Sequence, residues 1–310
     1  MLRKFVTVIA ILAVLIAGAA YFMPRPSPTV LAKLLTLYSF VKPLKVEPVR
    51  DGVYYVTGGM ANSGFIVGDT GVIAIDAQMF EPAANKVLKA IATITPLPVN
   101  TMILTHSDPD HVDALPAYPR GMAIIAQENT RKEMQEALDN PTENHTPTPA
   151  GLKDYLPTKN VKDSESLVVD GVQLTLLHIA PAHTDGDLIV YLPAKKIAFA
   201  GDILTPGSGP YPGIHLAKHG SSLGWIKSME ALIALDADIY ISGHGEPLKR
   251  EDLKARLLSA EQRRTEIERL VAQNKSLDEV KAALNDPAPT GAAKLFPTFT
   301  ETTYQELTGK

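Results

Sequence analysis

The sequence contains no cysteine, and this absence excludes two kinds of chemistry. No disulfide can stabilise the fold, and no thiolate can act as a nucleophile or a metal ligand. The formal net charge is −4, so the chain also lacks the basic excess that nucleic-acid-binding proteins carry. We therefore expect no nucleic-acid partner. The chain is long enough for a full hydrophobic core, and no internal repeat divides it.

One uncharged apolar run stands out at the N-terminus, where residues 5–22 follow Arg3 and Lys4. A run of about 18 residues is near the minimum for an α-helix that spans a bilayer, and basic residues before it favour export of everything after it. The sequence predicts that residues 1–23 form a transmembrane anchor or, with small residues at 17–19, a cleaved signal segment. The rest of the chain would face the periplasm from a bacterial inner membrane, or be periplasmic or secreted after cleavage.

The most informative segment is THSDPDH at residues 105–111. It places His106, Asp108, Asp110 and His111 close together, directly after the strand-like run NTMILT. Imidazole and carboxylate groups are ligands for Zn, Fe and Mn. Loops that join a strand to a helix commonly carry the chemistry of α/β proteins. The segment therefore predicts a metal site.

Three later segments repeat this arrangement of an apolar run followed by a metal-ligand type. His183 lies in APAHTDGD, Asp202 follows the run in KIAFAGD, and His244 follows the run in DIYISGH. In the last two segments the strand-like run stops at glycine immediately before the ligand type. Neighbouring strands that end in this way would deliver their side chains to one cleft.

With these motifs in this order, the sequence resembles the metallo-β-lactamase superfamily of metallo-hydrolases over residues 46–248. The first motif of that family is His-x-His-x-Asp-His, and it is followed by a lone His, a lone Asp and a last His. The sequence matches the pattern at His106, Asp110, His111, His183, Asp202 and His244. It departs at Asp108, where the family usually has His.

The resemblance implies two divalent ions, with Zn as the first choice and Fe or Mn as alternatives because Asp108 offers a hard oxygen donor. The implied ligands are His106, Asp108 and His183 for the first ion, Asp110, His111 and His244 for the second, and Asp202 between both. Ions about 3.5–4 Å apart can share a hydroxide nucleophile, which Asp110 would orient as the catalytic residue. If the short side chain of Asp108 does not reach the metal, the first site is weakened and one ion is firmly held.

The implied activity is hydrolysis of a small-molecule ester, lactone, thioester or amide. A di-iron redox enzyme is the first alternative, because the flavodiiron branch of the superfamily has a carboxylate at the position of Asp108. A non-catalytic metal-binding protein is the second. His215 and His219 follow the proline- and glycine-rich residues 206–213, which predict a loop over the cleft, so both are candidates for substrate contact.

The predicted fold class is α/β, an αββα sandwich with an N-terminal transmembrane or signal helix and a helical C-terminal extension. The domains are residues 1–23, a juxtamembrane spacer and helix at 24–45, the catalytic domain at 46–248 and the extension at 249–310. Periodicity predicts strands at 53–57, 64–67, 71–75, 101–105, 122–126, 166–169, 173–179, 188–191, 197–201 and 239–242. It predicts helices at 29–40, 82–93, 110–118, 130–138, 221–235, 251–274 and, capped by Ser276, up to residue 284.

Overall fold

The computed structural model of the chain describes residues 36, 37, 39, 42–140, 151–205, 211–286 and 297–309. The predicted anchor at 1–23, most of the predicted helix at 29–40 and part of the predicted loop at 206–213 lie outside these residues. Within the part of the chain that the structure describes, no helix is both long enough and apolar enough to cross a membrane.

Two β-sheets form the centre of the fold. In the first sheet the strands lie side by side in chain order: β1 (Lys45–Arg50), β2 (Val53–Thr57), β3 (Ser63–Val67), β4 (Val72–Ile75), β5 (Val99–Ile103), β6 (Ala123–Gln127) and β7 (Lys159–Val161). Neighbours from β1 to β4 are antiparallel, whereas neighbours from β4 to β7 are parallel. The parallel half therefore presents its carboxyl ends at one edge.

The second sheet has a similar division. Its strands are β8 (Ser164–Val169), β9 (Val172–Leu177), β10 (Ile189–Leu192), β11 (Ile197–Phe199) and β12 (Ile239–Ile241), and they lie side by side in the order β12, β11, β10, β9, β8. Only β11 and β12 are parallel neighbours within this described sheet. Their two carboxyl ends also lie together at one edge.

The two sheets pack face to face through an apolar core. Ile73 and Ile75 of β4 belong to this core, together with Leu174 and Leu176 of β9. Val72 and Ala74, which alternate with them, belong to the separate core on the other face of the first sheet. This alternation is what a strand buried on both faces requires, because successive side chains point to opposite sides.

Helices cover the outer face of each sheet. The helices of the first half are α1 (Glu81–Ile94), α2 (Pro109–Val112) and α3 (Glu128–Asp139), and the second half contributes α4 (Ser222–Ala234). Val87 and Ile91 of α1 pack into the core outside the first sheet. Trp225 and Met229 of α4 pack outside the second. The layers therefore follow the predicted order of helix, sheet, sheet and helix.

The chain after residue 249 is helical and packs on the second half, as predicted. It contains α5 (Arg250–Ala272), α6 (Leu277–Ala283) and α7 (Phe299–Thr308). Leu253 and Ala260 of α5 and Phe299 of α7 join the apolar cluster around Trp225. Ser276 caps α6, because its hydroxyl accepts a hydrogen bond from the Glu279 backbone amide.

Several elements differ from the sequence predictions. β1, β7 and α7 were not predicted, and the predicted helix at 110–118 is wrong in length. The structure has the short α2 and then a 3-10 turn at Leu115–Ala117. Pro116 explains the break, because its ring removes a backbone donor and clashes with the carbonyl four residues earlier, at Val112, the last residue of α2.

A buried ion pair fastens the extension to α4. Arg264 of α5 donates to Glu306 of α7 at 2.9 Å and also to the hydroxyl of Ser222. Glu306 in turn accepts from the Ser222 backbone amide at 2.6 Å. The Arg264 and Glu306 side chains are only 10% and 18% exposed, so solvent screens this pair poorly.

We expect Arg264→Met to lower the free energy of unfolding by about 3 kcal/mol, because it leaves the Glu306 carboxylate poorly solvated and without its cation. The matched control is Arg269→Met on the same helix, where the partner Glu266 is exposed and the change should have little measurable effect. Urea unfolding of the full-length protein measures both losses. Equal losses in the two variants would contradict the buried role of Arg264.

Candidate metal centre

The predicted ligand types lie where strands of both sheets end. β5 is followed by His106, and the 3-10 turn Gly201–Leu204 after β11 carries Asp202. His244 follows β12, whereas His183 lies in the loop between β9 and β10. Hydrogen bonds join these ends, since the Leu188 amide donates to the Thr105 carbonyl at 2.7 Å. The sandwich thereby brings both halves of the chain to one site.

All seven predicted ligand side chains come together in two groups. Among the described residues, the first group contains His106, Asp108, His183 and Asp202, and the second contains Asp110, His111 and His244. In each group the candidate ligand atoms lie within 4.8 Å of one another. Asp108 thus lies beside the other candidates for the first ion. The two groups are the ligand sets that the resemblance implied, with Asp202 counted in the first.

Asp202 also faces the second group. Its Oδ1 is 3.4 Å from His111 Nε2, and its Oδ2 is 3.4 Å from His244 Nε2 and 3.9 Å from His183 Nε2. A carboxylate with one oxygen near one group and another near both can be shared between two cations. The position of Asp202 therefore suits a bridging ligand.

Two buried imidazole nitrogens show that the centre suits a cation. His106 Nε2 and His111 Nε2 are buried and have no hydrogen-bond partner. The other ring nitrogens are occupied, since His106 Nδ1 lies 3.1 Å from Thr105 Oγ1 and His111 Nδ1 lies 2.8 Å from Asp76 Oδ2. A buried polar atom without a partner is costly. Nitrogen and oxygen donors in this number are the set that Zn and related ions bind, so the residues fit divalent metal ions.

Asp76 fixes the orientation of this part of the centre. Its Oδ1 accepts from the Thr105 amide at 2.8 Å, and its Oδ2 accepts from the Thr105 hydroxyl at 2.7 Å and from His111. The backbone of Asp76 has φ 58°, a left-handed conformation that is uncommon for residues other than glycine. Strain of this kind persists where the surroundings over-determine it. Asp76 therefore presents His111 Nε2 to the centre, as a carboxylate behind a metal-binding histidine does.

The carboxylates and imidazoles shift one another's pKa. Burial would lower the pKa of His183 and of His244. Asp108 instead raises the pKa of His183 to about 10. Asp110 and Asp202 raise the pKa of His244 to about 10. Burial would raise the pKa of Asp202, but His111 and His244 hold it well below its usual range. The Asp202 carboxylate is thus ionised, and the His183 and His244 imidazoles hold protons. Ions that bind at neutral pH displace such protons.

The two oxygens of Asp108 have different partners. Oδ2 faces the first group, 3.1 Å from His183 Nε2 and 3.6 Å from His106 Nε2. Oδ1 faces away, 2.7 Å from Lys218 Nζ and 3.2 Å from His215 Nδ1. Burial would raise the pKa of Asp108, but Lys218 and the imidazoles hold it well below its usual range.

The structure separates the two candidate substrate residues. His215 lies beside Asp108, whereas His219 is exposed. Neither belongs to a ligand group, and substrate contact by each remains a prediction. Lys218 was not predicted from the sequence. The only signal was its position three residues after His215, which becomes significant once the intervening 3-10 turn, Leu216–Lys218, is known.

Gly243 is required by close packing at the centre. A Cβ at this position would lie 1.9 Å from Asp202 Oδ1 and 2.9 Å from His111 Cε1. Any side chain would therefore displace the bridging candidate. The glycine before His244, which marks the strand end in the sequence, also makes room for the centre.

Comparison with known families assigns the chain. The sequence profile described as "Metallo-beta-lactamase superfamily" matches residues 56–244, which include every candidate ligand. The chain belongs to this superfamily. Solved structures agree on the fold: the stereoselective inverting sec-alkylsulfatase Pisa1 from Pseudomonas sp. has a TM-score of 0.66 at 19% identity, with 89% of this chain and 53% of that chain covered. The metallo-β-lactamase from Pontibacter korlensis has a TM-score of 0.59 at 20% identity, with 71% and 99% covered.

Two curated relatives have other names. The "2,4-dinitroanisole O-demethylase subunit alpha" of Nocardioides sp. (strain JS1661) is 28% identical over 222 residues, which are 70% of this chain and 62% of that protein. The "Linear primary-alkylsulfatase" of Pseudomonas sp. (strain ATCC 19151) is 22% identical over 215 residues, which are 57% of this chain and 40% of that protein. The matches thus span less than two thirds of either relative's length.

We expect Asp76→Asn to weaken metal binding by roughly 10- to 100-fold, the usual cost of removing a partner behind a metal-binding histidine. The asparagine NH₂ group cannot accept from both Thr105 and His111, so His111 loses its orientation. Competition with a chromogenic chelator measures the affinity. Asp51→Asn at an exposed turn is the matched control and should leave affinity unchanged. Equal affinities in all three proteins would contradict the role of Asp76.

Proposed function

We propose that the chain is a metal-dependent hydrolase that has a dinuclear metal centre and acts on a small-molecule substrate. The observation that carries the proposal is the pair of ligand groups with Asp202 between them and with two buried imidazole nitrogens that have no hydrogen-bond partner. Zn is the first choice of metal. Membership in a superfamily whose members are generally hydrolytic metalloenzymes supports the reaction class.

The proposed ligands are the seven residues of the two groups. Bound divalent ions supply a nucleophile derived from water at neutral pH and positive charge for the oxyanion that develops on the substrate. Asp110 is 24% exposed and lies 3.2 Å from His244 Nε2, so its carboxylate reaches both the centre and the open side of the cleft. From this position Asp110 would orient the water-derived nucleophile that the bound ions supply. Asp76 orients His111, and the Gly213 carbonyl accepts a hydrogen bond from His183. His215 and Lys218 contact Asp108.

The substrate classes that we propose are esters, lactones, thioesters and amides. Two relatives extend the panel of test substrates: the O-demethylase adds aryl ethers, and the alkylsulfatase adds sulfate esters. A third relative, "Hydroxyacylglutathione hydrolase GloC" from Haemophilus influenzae, supports the thioesters. The carboxylate of Asp108 favours one alternative, a di-iron redox enzyme, because oxygen donors suit iron. Metal content and hydrolytic screening together distinguish the two functions.

We expect the wild-type protein to bind two zinc ions per chain and to hydrolyse at least one member of the panel. His111→Ala should lower the stoichiometry to about one and abolish hydrolysis, because it removes a ligand of the second group. Asp51→Asn, at an exposed turn outside both groups, is the control and should retain two ions and full turnover. Elemental analysis of the loaded proteins measures the first quantity.

A stoichiometry near zero in the wild type would remove the metal hypothesis. A wild-type value of one would support the weakened first site. Iron in place of zinc, together with no hydrolysis of any panel member, would favour the redox alternative.

We also propose that the catalytic part lies outside the cytoplasm, on the periplasmic face of a bacterial inner membrane or free in the periplasm. The support is Arg3 and Lys4 before the apolar residues 5–22. A reporter that is active only in the periplasm, fused after Lys310, should be active, and replacing Arg3 and Lys4 by Glu should reduce that activity. An inactive periplasmic reporter together with an active cytoplasmic one would overturn this location.

A further inference from the structure

The turn that carries His215 and Lys218 is tied firmly to the loop that carries His183. The His215 amide donates to the His183 carbonyl at 2.8 Å, and the Asp185 amide donates to the Lys218 carbonyl at 2.9 Å. His183 Nδ1 returns a hydrogen bond to the Gly213 carbonyl at 3.0 Å. The turn and the ligand loop therefore form one unit, and the position of Lys218 relative to the centre is fixed by the backbone.

Lys218 lies inside this unit. Its side chain is 20% exposed, and its Nζ contacts Asp108 Oδ1 and the Ser107 hydroxyl, each at 2.7 Å. The Ser107 hydroxyl in turn donates a hydrogen bond to the Glu133 carboxylate of α3. A lysine that only kept the protein soluble would extend into water and would not contact two neighbouring side chains. Its ammonium group contacts Asp108, the residue immediately before α2, and the adjacent Ser107.

The geometry of Asp108 explains what Lys218 and His215 do. A free carboxylate can turn about its last bond and present either oxygen, or both, to a metal. Here the Lys218 ammonium and His215 Nδ1 hold Oδ1 of Asp108, so only Oδ2 faces the first group of candidate ligands. The charge also matters, because Asp108 adds one negative charge to those of Asp110 and Asp202, and the Lys218 ammonium offsets it.

Resting on the proposed function, we propose that Lys218 and His215 are positioning residues that make Asp108 a one-oxygen ligand of the first ion, and that the Asp108–Lys218 pair presents a donor without added net charge. An imidazole at position 108 would present one nitrogen and no charge. The pair achieves the same result with two side chains. The effect of Lys218 on the first ion must then depend on the residue at position 108.

Cobalt-loaded proteins test this dependence, because Co(II) absorption reports the number and kind of ligands around the ion. We expect Lys218→Met to change the visible cobalt spectrum and to weaken retention of the first ion roughly tenfold in chelator competition. In an Asp108→His background the same Lys218→Met change should alter neither quantity. Lys218→Arg should preserve the wild-type spectrum, because it retains the charge and the donor.

The matched control is Lys227→Met, at an exposed position on α4, which should change nothing. Lys218→Gln serves as the second variant if Lys218→Met fails to fold, and the same dependence on position 108 is expected. An equal change in both backgrounds would give Lys218 a structural role only and overturn the proposal. A raised KM with an unchanged cobalt spectrum would assign Lys218 to the substrate and also overturn it.

These failures differ from failure of the proposed function. If the wild-type protein takes up no cobalt, the metal centre itself is wrong and the positioning role falls with it. If the wild-type protein takes up two ions and Lys218→Met behaves like wild type, only the positioning role is overturned.

Discussion

The concentration of charge at one edge of the sandwich is the constraint on which the rest of the structure depends. Asp108, Asp110 and Asp202 are largely buried within a few ångströms of four imidazoles. Carboxylates removed from water are costly unless cations or donors surround them. The fold meets this cost by bringing strand ends of both sheets to the same place, where imidazoles surround the carboxylates, and by holding Lys218 beside Asp108. Loss of either half would leave the other with uncompensated charge.

The ligands could be predicted because their signal is local. An apolar strand, a glycine and a polar residue are adjacent in sequence, so the pattern predicts that Asp202 and His244 lie at strand ends, which the structure brings together. The resemblance to the superfamily supplied the division of the ligands into two sets. Lys218 could not be found in this way. Its partner Asp108 is more than a hundred residues away, and nothing in a loop sequence indicates which lysine will turn inward. β1, β7 and α7 were missed because short, half-buried segments have weak periodicity.

The C-terminal extension lies outside the matched family region, residues 56–244, yet it supports the site physically. Arg256 of α5 donates to the Leu204 carbonyl, just after Asp202. Tyr211 stacks on Phe299 of α7 with ring centroids 5.6 Å apart, and Arg263 lies 4.7 Å from the Tyr211 ring centroid. The extension therefore contacts Leu204, which follows Asp202, and Tyr211, which precedes the turn with Lys218. Helices remote from the chemistry can in this way fix the distances within it.

The pairing of Asp108 with Lys218 separates two properties that a change of ligand usually alters together. Replacing an imidazole by a carboxylate makes the donor harder, which favours iron or manganese, and it also makes the centre more negative, which makes a bound water less acidic. The Lys218 ammonium offsets the added negative charge but leaves the donor a hard oxygen. Hydrolysis depends on the acidity of the water, so a compensated carboxylate is compatible with it. The carboxylate at Asp108 is therefore no argument against hydrolysis, because the Lys218 ammonium 2.7 Å away offsets its charge.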